Sequence, residues 1–336
     1  MTLADLAACA ALLGVVTYAV LGGADFGGGV WDALASGPRR DEQRRTIARA
    51  MGPVWEANHV WLIFVVVVMF TAFPQAWAAY STAMLTPLHL AVVGIVLRGS
   101  AFVFRAYSPG GTHAAWGPVF GLASVMTPAL LGASLGALST GHVQASDVGT
   151  LREGPPWLGV LSLSMGAAGV SMSAYLAAVF LCVETDGELR EDFRRRALAS
   201  GTLVVAGATA TIPLLYQEAP WLWRGLMSSR ALPIVTLGTV AALTSGAALL
   251  TRRFALARAA TIVQVACLVA GWGAAQYPFL IYPDLTIINA AAPRSTLLFL
   301  VVSLPFGLAL IVPSMVWLMR VFKQPDAPNP PETKEA

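Results

Sequence analysis

Five ionisable side chains lie within, or at the ends of, long apolar segments in the first third of the chain: Asp25, Glu56, His59, His89 and Arg98. An ionisable group inside a membrane costs about 2.5–3.5 kcal/mol even on a lenient insertion scale, so these positions are candidate functional residues. Carboxyl and imidazole groups can exchange protons, and an arginine can balance the charge of a buried carboxylate. The residue types therefore indicate proton chemistry in the N-terminal third.

Asp25 lies in a glycine-rich segment, GGADFGGG, at the end of the first apolar run. Its glycines, among them Gly23, Gly27 and Gly29, allow neighbouring helices to approach closely. The alternative is a loose helix end with an exposed Asp25. A dinucleotide-binding loop is excluded because no strand precedes the segment.

Glu56 and His59 lie in the segment GPVWEANHVW, which opens the second apolar run. Their i, i+3 spacing places them on one face of a helix, where they can form a proton-exchanging pair. Two alternatives remain: the dipole at a helix start favours Glu56 there for structural reasons alone, and His59 can be a haem ligand. Trp55 and Trp61 fit an aromatic belt at the membrane interface.

Arg98 lies seven residues before Arg105, where the third apolar run ends. That distance is about 10 Å along a helix. Arg98 can extend to the interface, or it can neutralise a buried carboxylate. His89 lies deeper, beside Pro87, and is expected to be hydrogen-bonded within the helix bundle.

The composition indicates a membrane protein. Of 336 residues, 57% are hydrophobic and 12% are charged, whereas soluble domains carry about 25% charged residues. A helix needs about 20 apolar residues to cross a membrane. The runs of this length predict an all-α integral membrane protein with about nine transmembrane helices, near residues 3–24, 55–73, 77–105, 115–139, 157–183, 197–216, 231–251, 257–277 and 295–320.

These helices are predicted to form a single polytopic transmembrane domain over residues 1–323, with no evident internal repeat. The Pro-rich remainder, 324–336, is predicted to be a disordered cytoplasmic tail. The segment 38–51 mixes charged and apolar residues, which predicts a short amphipathic helix on the cytoplasmic surface.

The basic residues divide unequally between the two sides of the membrane. Loops on the side of the C-terminus hold 16 of them, the opposite side holds four, and Arg98 lies within a span. By the positive-inside rule, the C-terminus is cytoplasmic and the N-terminus is periplasmic. An odd number of spans agrees with this placement of the termini.

Metal and nucleic-acid chemistry are not expected. Cys9, Cys182 and Cys267 are isolated in apolar stretches and form no metal-binding or redox motif. The chain also has no basic run with interleaved aromatic residues, the pattern typical of nucleic-acid binding.

Taken in order, the three clusters resemble subunit II of the cytochrome bd quinol oxidases. The family pattern G-F-D-x-G-x-G, then G-P-x-W-[DE]-x-N-x-x-W-L with F-x-x-F-P, then R-G-x-x-F-x-x-R, occurs here as GADFGGG, GPVWEANHVWL with FTAFP, and RGSAFVFR. The structural residues of these motifs are Gly23, Gly27, Gly29, Trp55, Asn58, Trp61 and Arg105. The chain departs from the pattern at Gly22, Ala24, Ala57 and His59.

The resemblance implies a non-haem-binding subunit with no catalytic residue of its own, in the bacterial cytoplasmic (inner) membrane. Its heterodimer partner, subunit I, would carry the quinol site, two b haems and one d haem. The complex would oxidise quinol, reduce O2 to water and take protons from the cytoplasm. Asp25, Glu56 and His59 are then candidates for a proton route, with Arg98 balancing charge. The resemblance leaves open a structural quinone and a small accessory membrane subunit.

Two other functions remain as alternatives. One is a secondary transporter with a charged site in the first three helices. The sequence argument against it is that no matched pair of broken helices is evident in two halves of the chain. The other is a membrane scaffold without a proton role.

Overall fold

The computed structural model of the chain describes residues 2–107, 116–145 and 154–322, and for 51–57, 106–107 and 318–322 it describes the backbone alone. The α-helices in these ranges are α1 (Leu3–Ala33), α2 (Arg40–Ala72), α3 (Pro74–Ala83), α4 (Leu85–Tyr107), α5 (Trp116–Thr140), α6 (Val160–Val183), α7 (Gly187–Glu218), α8 (Pro220–Leu226), α9 (Leu232–Leu250), α10 (Phe254–Gln276) and α11 (Arg294–Phe322). A 3-10 turn, Pro156–Leu158, precedes α6, and the antiparallel strands β1 (Phe279–Ile281) and β2 (Leu285–Thr286) lie between α10 and α11. The tail predicted to be disordered, 324–336, falls outside the described residues.

Among the described residues, eight helices are long and apolar enough to cross a membrane: α1, α4, α5, α6, α7, α9, α10 and α11. The second predicted span corresponds to α2, whose apolar part, Asn58–Ala72, is shorter. This content confirms the prediction of an all-α integral membrane protein with about nine spanning helices.

Helix α2 corrects the prediction of a separate surface helix over 38–51. The chain turns at Gly37, whose φ of +78° suits glycine. The helix then starts at Arg40 and continues without interruption to Ala72. Asp41 and Glu42 in its first turn favour a helix start because their charge complements the helix dipole. The predicted surface segment and the predicted second span therefore form one helix.

The third predicted span, 77–105, consists of two helices, α3 and α4, which meet at Met84. Met84 leaves the helical conformation with φ −102° and ψ 23°. Pro87 has no backbone N–H to donate to the carbonyl of Ala83, so it cannot continue the hydrogen-bond ladder of α3. It fits in the first turn of α4, where the ladder resumes with the bond from Leu88 N to Met84 O.

The glycine-rich segment is helical and closely packed, so the alternative of a loose helix end is wrong. Helix α1 continues through it to Ala33, and Asp25 is fully buried. A Cβ atom added to Gly27 would lie 1.8 Å from the carbonyl oxygen of Ser173 on α6. A Cβ added to Gly29 would lie 1.9 Å from the hydroxyl of Ser124 on α5. Glycine at these positions is what allows α1 to contact both helices.

The order of helices is repeated, which the sequence analysis missed. In each repeat a long helix ends at a single non-helical residue that is followed by a proline: Phe73 and Pro74 follow α2, and Ala219 and Pro220 follow α7. Phe73 and Ala219 have nearly the same backbone angles, φ −137°, ψ 58° and φ −136°, ψ 57°. A short helix and two further spans follow each break, so α1–α5 and α6–α10 are equivalent and α11 is additional.

The two repeats also pack in the same way. In the first, α1 contacts α2 and α5, and α5 contacts α4. In the second, α6 contacts α7 and α10, and α10 contacts α9. The repeats join where α1 packs against α6, with Ala24 of α1 and Leu176 of α6 in one buried cluster. The likeness lies in the packing and in the proline breaks rather than in residue identity.

The close approach of α1 and α6 generates a prediction. Replacing Gly27 by alanine places a methyl group against the backbone of α6, so we expect a loss of about 1–3 kcal/mol of stability, typical of overpacking. The measurement is the thermal unfolding midpoint of the purified protein. Gly207→Ala is the matched control, since no atom lies within 4 Å of a Cβ at that helical glycine. Equal midpoints for the two variants would contradict the packing argument.

Candidate functional site

Asp25 and Arg98 form a buried ion pair with two parallel hydrogen bonds. Arg98 Nη1 donates to Asp25 Oδ2 at 2.6 Å, and Nη2 donates to Oδ1 at 2.7 Å. The side chains are only 1% and 3% exposed, respectively. Of the two alternatives for Arg98, neutralising a buried carboxylate is therefore the one found. Such a bidentate pair is strong and has a defined geometry.

Two more helices contribute hydrogen bonds to this pair. Asn58 Nδ2 on α2 donates to Asp25 Oδ2 at 2.9 Å. Arg98 Nε donates to the hydroxyl of Ser124 on α5 at 3.0 Å, and Nη2 also donates to the backbone oxygen of Asp25 at 2.8 Å. The pair thus connects α1, α2, α4 and α5, the four long helices of the first repeat.

The guanidinium of Arg98 also lies against two aromatic rings. Its central carbon is 5.3 Å from the centroid of Phe26 and 4.8 Å from that of Phe120. Cation–π contacts of this kind contribute most to stability where water is absent. Together with the hydrogen bonds of Arg98, they offset the cost of burying its charge.

A second ion pair repeats the first one two helical turns further along. Arg105 Nη1 and Nη2 donate to the carboxylate oxygens of Asp32 at 2.9 and 3.0 Å. Asp32 lies seven residues after Asp25 on α1, and Arg105 lies seven residues after Arg98 on α4. Because the later residues of both helices pair with each other, α1 and α4 run in the same direction. Sequence analysis missed Asp32, although this equal spacing on both segments was a usable signal.

The other predicted site residues are placed as follows. His59 is half-buried on α2, next to Asn58 in the chain. Trp61 is 8% exposed and packs edge-on against Phe64, inside the bundle rather than in a lipid-facing aromatic belt. The side chains of Trp55 and Glu56 lie outside the described part of the chain, so the predicted pairing of Glu56 with His59 stays a prediction.

His89 is exposed on α4, and its ring nitrogen Nδ1 donates to the carbonyl of Leu85 at 2.7 Å. The predicted hydrogen bond is therefore present, but it is made within its own helix. Within the described ranges, no three His, Cys, Asp or Glu side chains are grouped so as to hold a metal ion.

The second repeat has a neutral counterpart of the ion pair. The hydroxyls of Tyr175 and Ser245 lie 2.6 Å apart, and those of Ser245 and Thr261 lie 2.6 Å apart, all buried. They belong to α6, α9 and α10, which are equivalent to α1, α4 and α5. Tyr175 lies eight residues before the end of α6, as Asp25 does in α1. Charge is therefore present at this position in one repeat only.

These features define a polytopic α-helical membrane protein built from two repeats, with a buried carboxylate–guanidinium pair in the first. The model of the cytochrome bd terminal oxidase subunit II family matches residues 3–322. The chain therefore belongs to that family.

Relatives of the chain are similar over most of its length. A Bacillus subtilis (strain 168) cytochrome bd menaquinol oxidase subunit II, whose name marks the assignment as provisional, is 23% identical over 92% of both chains. The cytochrome bd-I ubiquinol oxidase subunit 2 of Escherichia coli (strain K12) is 26% identical over 61% of this chain and 56% of its own. A chain of the bd oxidase from Geobacillus thermodenitrificans is 27% identical, with a TM-score of 0.80 over 96% of this chain and 99% of that one.

The ion pair generates a second prediction. Asp25→Asn leaves the charge of Arg98 buried without its counter-charge, which costs about 3–5 kcal/mol. We expect a much lower yield of folded protein in the membrane and a lower unfolding midpoint. Adding Arg98→Gln removes the second charge and should restore part of the loss.

Asp186→Asn is the control for this experiment. Asp186 also pairs with an arginine, Arg190, but its side chain is 93% exposed. Exposed pairs contribute at most about 1 kcal/mol. An Asp25→Asn protein as stable as Asp186→Asn would show that the buried pair is not required for the fold.

Proposed function

We propose that this chain is the non-haem-binding subunit II of a cytochrome bd-type quinol oxidase in the bacterial cytoplasmic membrane, bound to a subunit I that carries the b and d haems. The complex oxidises quinol and reduces O2 to water. The family match over residues 3–322 carries this proposal. The geometry supports it, because two of the family motifs meet in one buried ion pair: Asp25 of the first motif pairs with Arg98 of the third.

A haem spectrum tests this assignment. The complex isolated from respiring cells through a tag on this chain should show the reduced-minus-oxidised bands of haems b and d. The chain expressed without its partner should show none. If the chain alone bound stoichiometric haem, and His59→Ala abolished that binding, the division of roles between the subunits would be wrong.

The proposal includes proton uptake from the cytoplasm along the first repeat. The ends of α1 and α4 and the start of α2 lie on the arginine-rich side, which the positive-inside rule makes cytoplasmic; a reporter fused after Ala336 reads this orientation directly. Asp25 is held by two bonds from Arg98, so carrying a proton would require breaking them. Glu56 and His59 are then the mobile carriers, and the pair of Asp25 with Arg98 sets the local charge.

Family membership favours this function over a secondary transporter. The sequence argument against a transporter was wrong in one respect, since the helix breaks at Phe73 and Ala219 do form a matched pair in the two halves. The first break is remote from the buried ion pair of Asp25 and Arg98: Phe73 is 15 residues from Asn58, about 22 Å along α2. A transporter site would combine broken helices and charged groups at one depth.

Glu56→Gln tests the proton route. The substitution preserves the size of the side chain but cannot carry a proton, so we expect a fully assembled complex with normal haem content that consumes O2 several-fold more slowly. Glu42→Gln is the matched control, because Glu42 is an exposed carboxylate on the same helix. If the two variants consumed O2 at the same rate as the unchanged complex, Glu56 would have no part in proton uptake.

A further inference from the structure

The two ion pairs of the first repeat follow one another along α1 and α4 but differ in exposure. The side chains of the inner pair, Asp25 and Arg98, are 1% and 3% exposed. In the outer pair, Asp32 is 3% exposed and Arg105 is 22% exposed. Water at the arginine-rich end of the helices therefore reaches Arg105, which is seven residues, about 10 Å along α4, from the fully enclosed Arg98.

The ring of Phe120 on α5 lies between the two pairs. Its centroid is 4.8 Å from the central carbon of Arg98 and 5.1 Å from that of Arg105. Because the two arginines are about 10 Å apart along one helix, a ring that is about half this distance from both guanidinium groups lies close to the line that joins them. Phe120 is itself only 4% exposed.

The Phe120 ring also fills the space between the helices at this depth. A Cβ atom added to Gly29 would lie 3.3 Å from Cε1 of the ring, so the ring packs directly against the backbone of α1. On the side of α4, the ring of Phe102 lies next to it, with the two centroids 6.4 Å apart. A phenyl ring has no hydrogen-bond donor or acceptor. It therefore puts an apolar group where water would otherwise connect the two ion pairs.

The second repeat has a much smaller residue at the equivalent position. The hydroxyl of Ser124 donates to the carbonyl of Phe120, four residues earlier on α5. The hydroxyl of Thr261, in the neutral connection of the second repeat, donates to the carbonyl of Ala257, four residues earlier on α10. Phe120 thus corresponds to Ala257, which is also buried. The large ring is present in the repeat that has charged groups to separate.

We propose that Phe120 is a barrier that prevents water and protons from passing from the outer ion pair to the inner one. Its role is to exclude water, since the ring itself cannot carry a proton. Protons would then approach the inner pair along α2, where Asn58, two residues after Glu56, bonds to Asp25. The inference rests on the proposed proton uptake for this functional consequence, whereas the barrier itself follows from the packing.

The test measures the access of water to the inner pair in the complete complex. Ser124→Cys places a thiol beside Arg98, and its reaction with a small water-soluble methanethiosulfonate is followed by mass spectrometry of this chain. Cys9→Ser is included because Cys9 is exposed, whereas the other two cysteines are buried. We expect the introduced thiol to react several-fold faster when Phe120→Ala is added. Phe120→Leu keeps an apolar side chain in place and should leave the reaction slow.

Phe104→Ala is the matched control. It removes the same ring from α4, but Phe104 is 46% exposed and its ring stacks on Trp116. The control should not change the reaction of the introduced thiol. If Phe120→Ala does not fold, Phe120→Val replaces it, because it leaves a smaller gap. Equal reaction rates in the Phe120 variant and in Phe104→Ala would overturn the proposal.

O2 consumption gives a second measurement, which a merely structural defect would not improve. Adding Phe120→Ala to the slow Glu56→Gln complex opens another path for protons, so we expect part of the lost rate to return. Faster thiol labelling without this gain would overturn the role of Phe120 in proton access. If Glu56→Gln alone were not slow, the proposed route through Glu56 would be wrong, and the labelling result would still decide whether Phe120 is a barrier.

Discussion

The structure depends on the requirement that a charge inside a membrane protein has a partner. Asp25 and Arg98 meet this requirement by bonding to each other, and Asn58 and Ser124 bond to the pair from two further helices. One interaction therefore restricts the relative positions of α1, α2, α4 and α5. Replacing such a pair by apolar residues is often neutral for stability, so the presence of charge here agrees with the proposed role of this site in proton uptake.

The glycines of α1 are a consequence of the same arrangement. Gly29 lies directly against Ser124, the hydroxyl that accepts the Nε–H of Arg98, so a side chain there would displace that hydroxyl. Gly27 fits against the backbone of α6 on another face of the helix. The segment GGADFGGG thus combines a charge with the small residues that bring its surroundings close to it. Sites of this kind are typical where function requires a buried ionisable group.

The two repeats show that this packing does not itself require charge. In the second repeat, Tyr175, Ser245 and Thr261 connect α6, α9 and α10 through hydroxyl groups alone. Hydrogen bonds between hydroxyl groups of neighbouring membrane helices contribute modestly to the stability of helix packing. Because hydroxyl groups are neutral, they need no counter-charge. The same helix arrangement therefore carries a neutral connection in one half and an ionic one in the other. This difference agrees with the proposal that the charged groups of the first repeat take part in proton uptake.

The sequence by itself determined the membrane class, the positions of most spans, the family motifs and Asp25 with Arg98 as the residues of interest, because apolar length and isolated charges are local properties of the chain. It did not determine that α2 starts at Arg40, that the span around Pro87 is divided, or that the helix order repeats. Those features depend on backbone angles and on contacts between distant segments. Only the tertiary structure paired Asp32 with Arg105, since a salt bridge is decided by which helices are neighbours and in which direction they run.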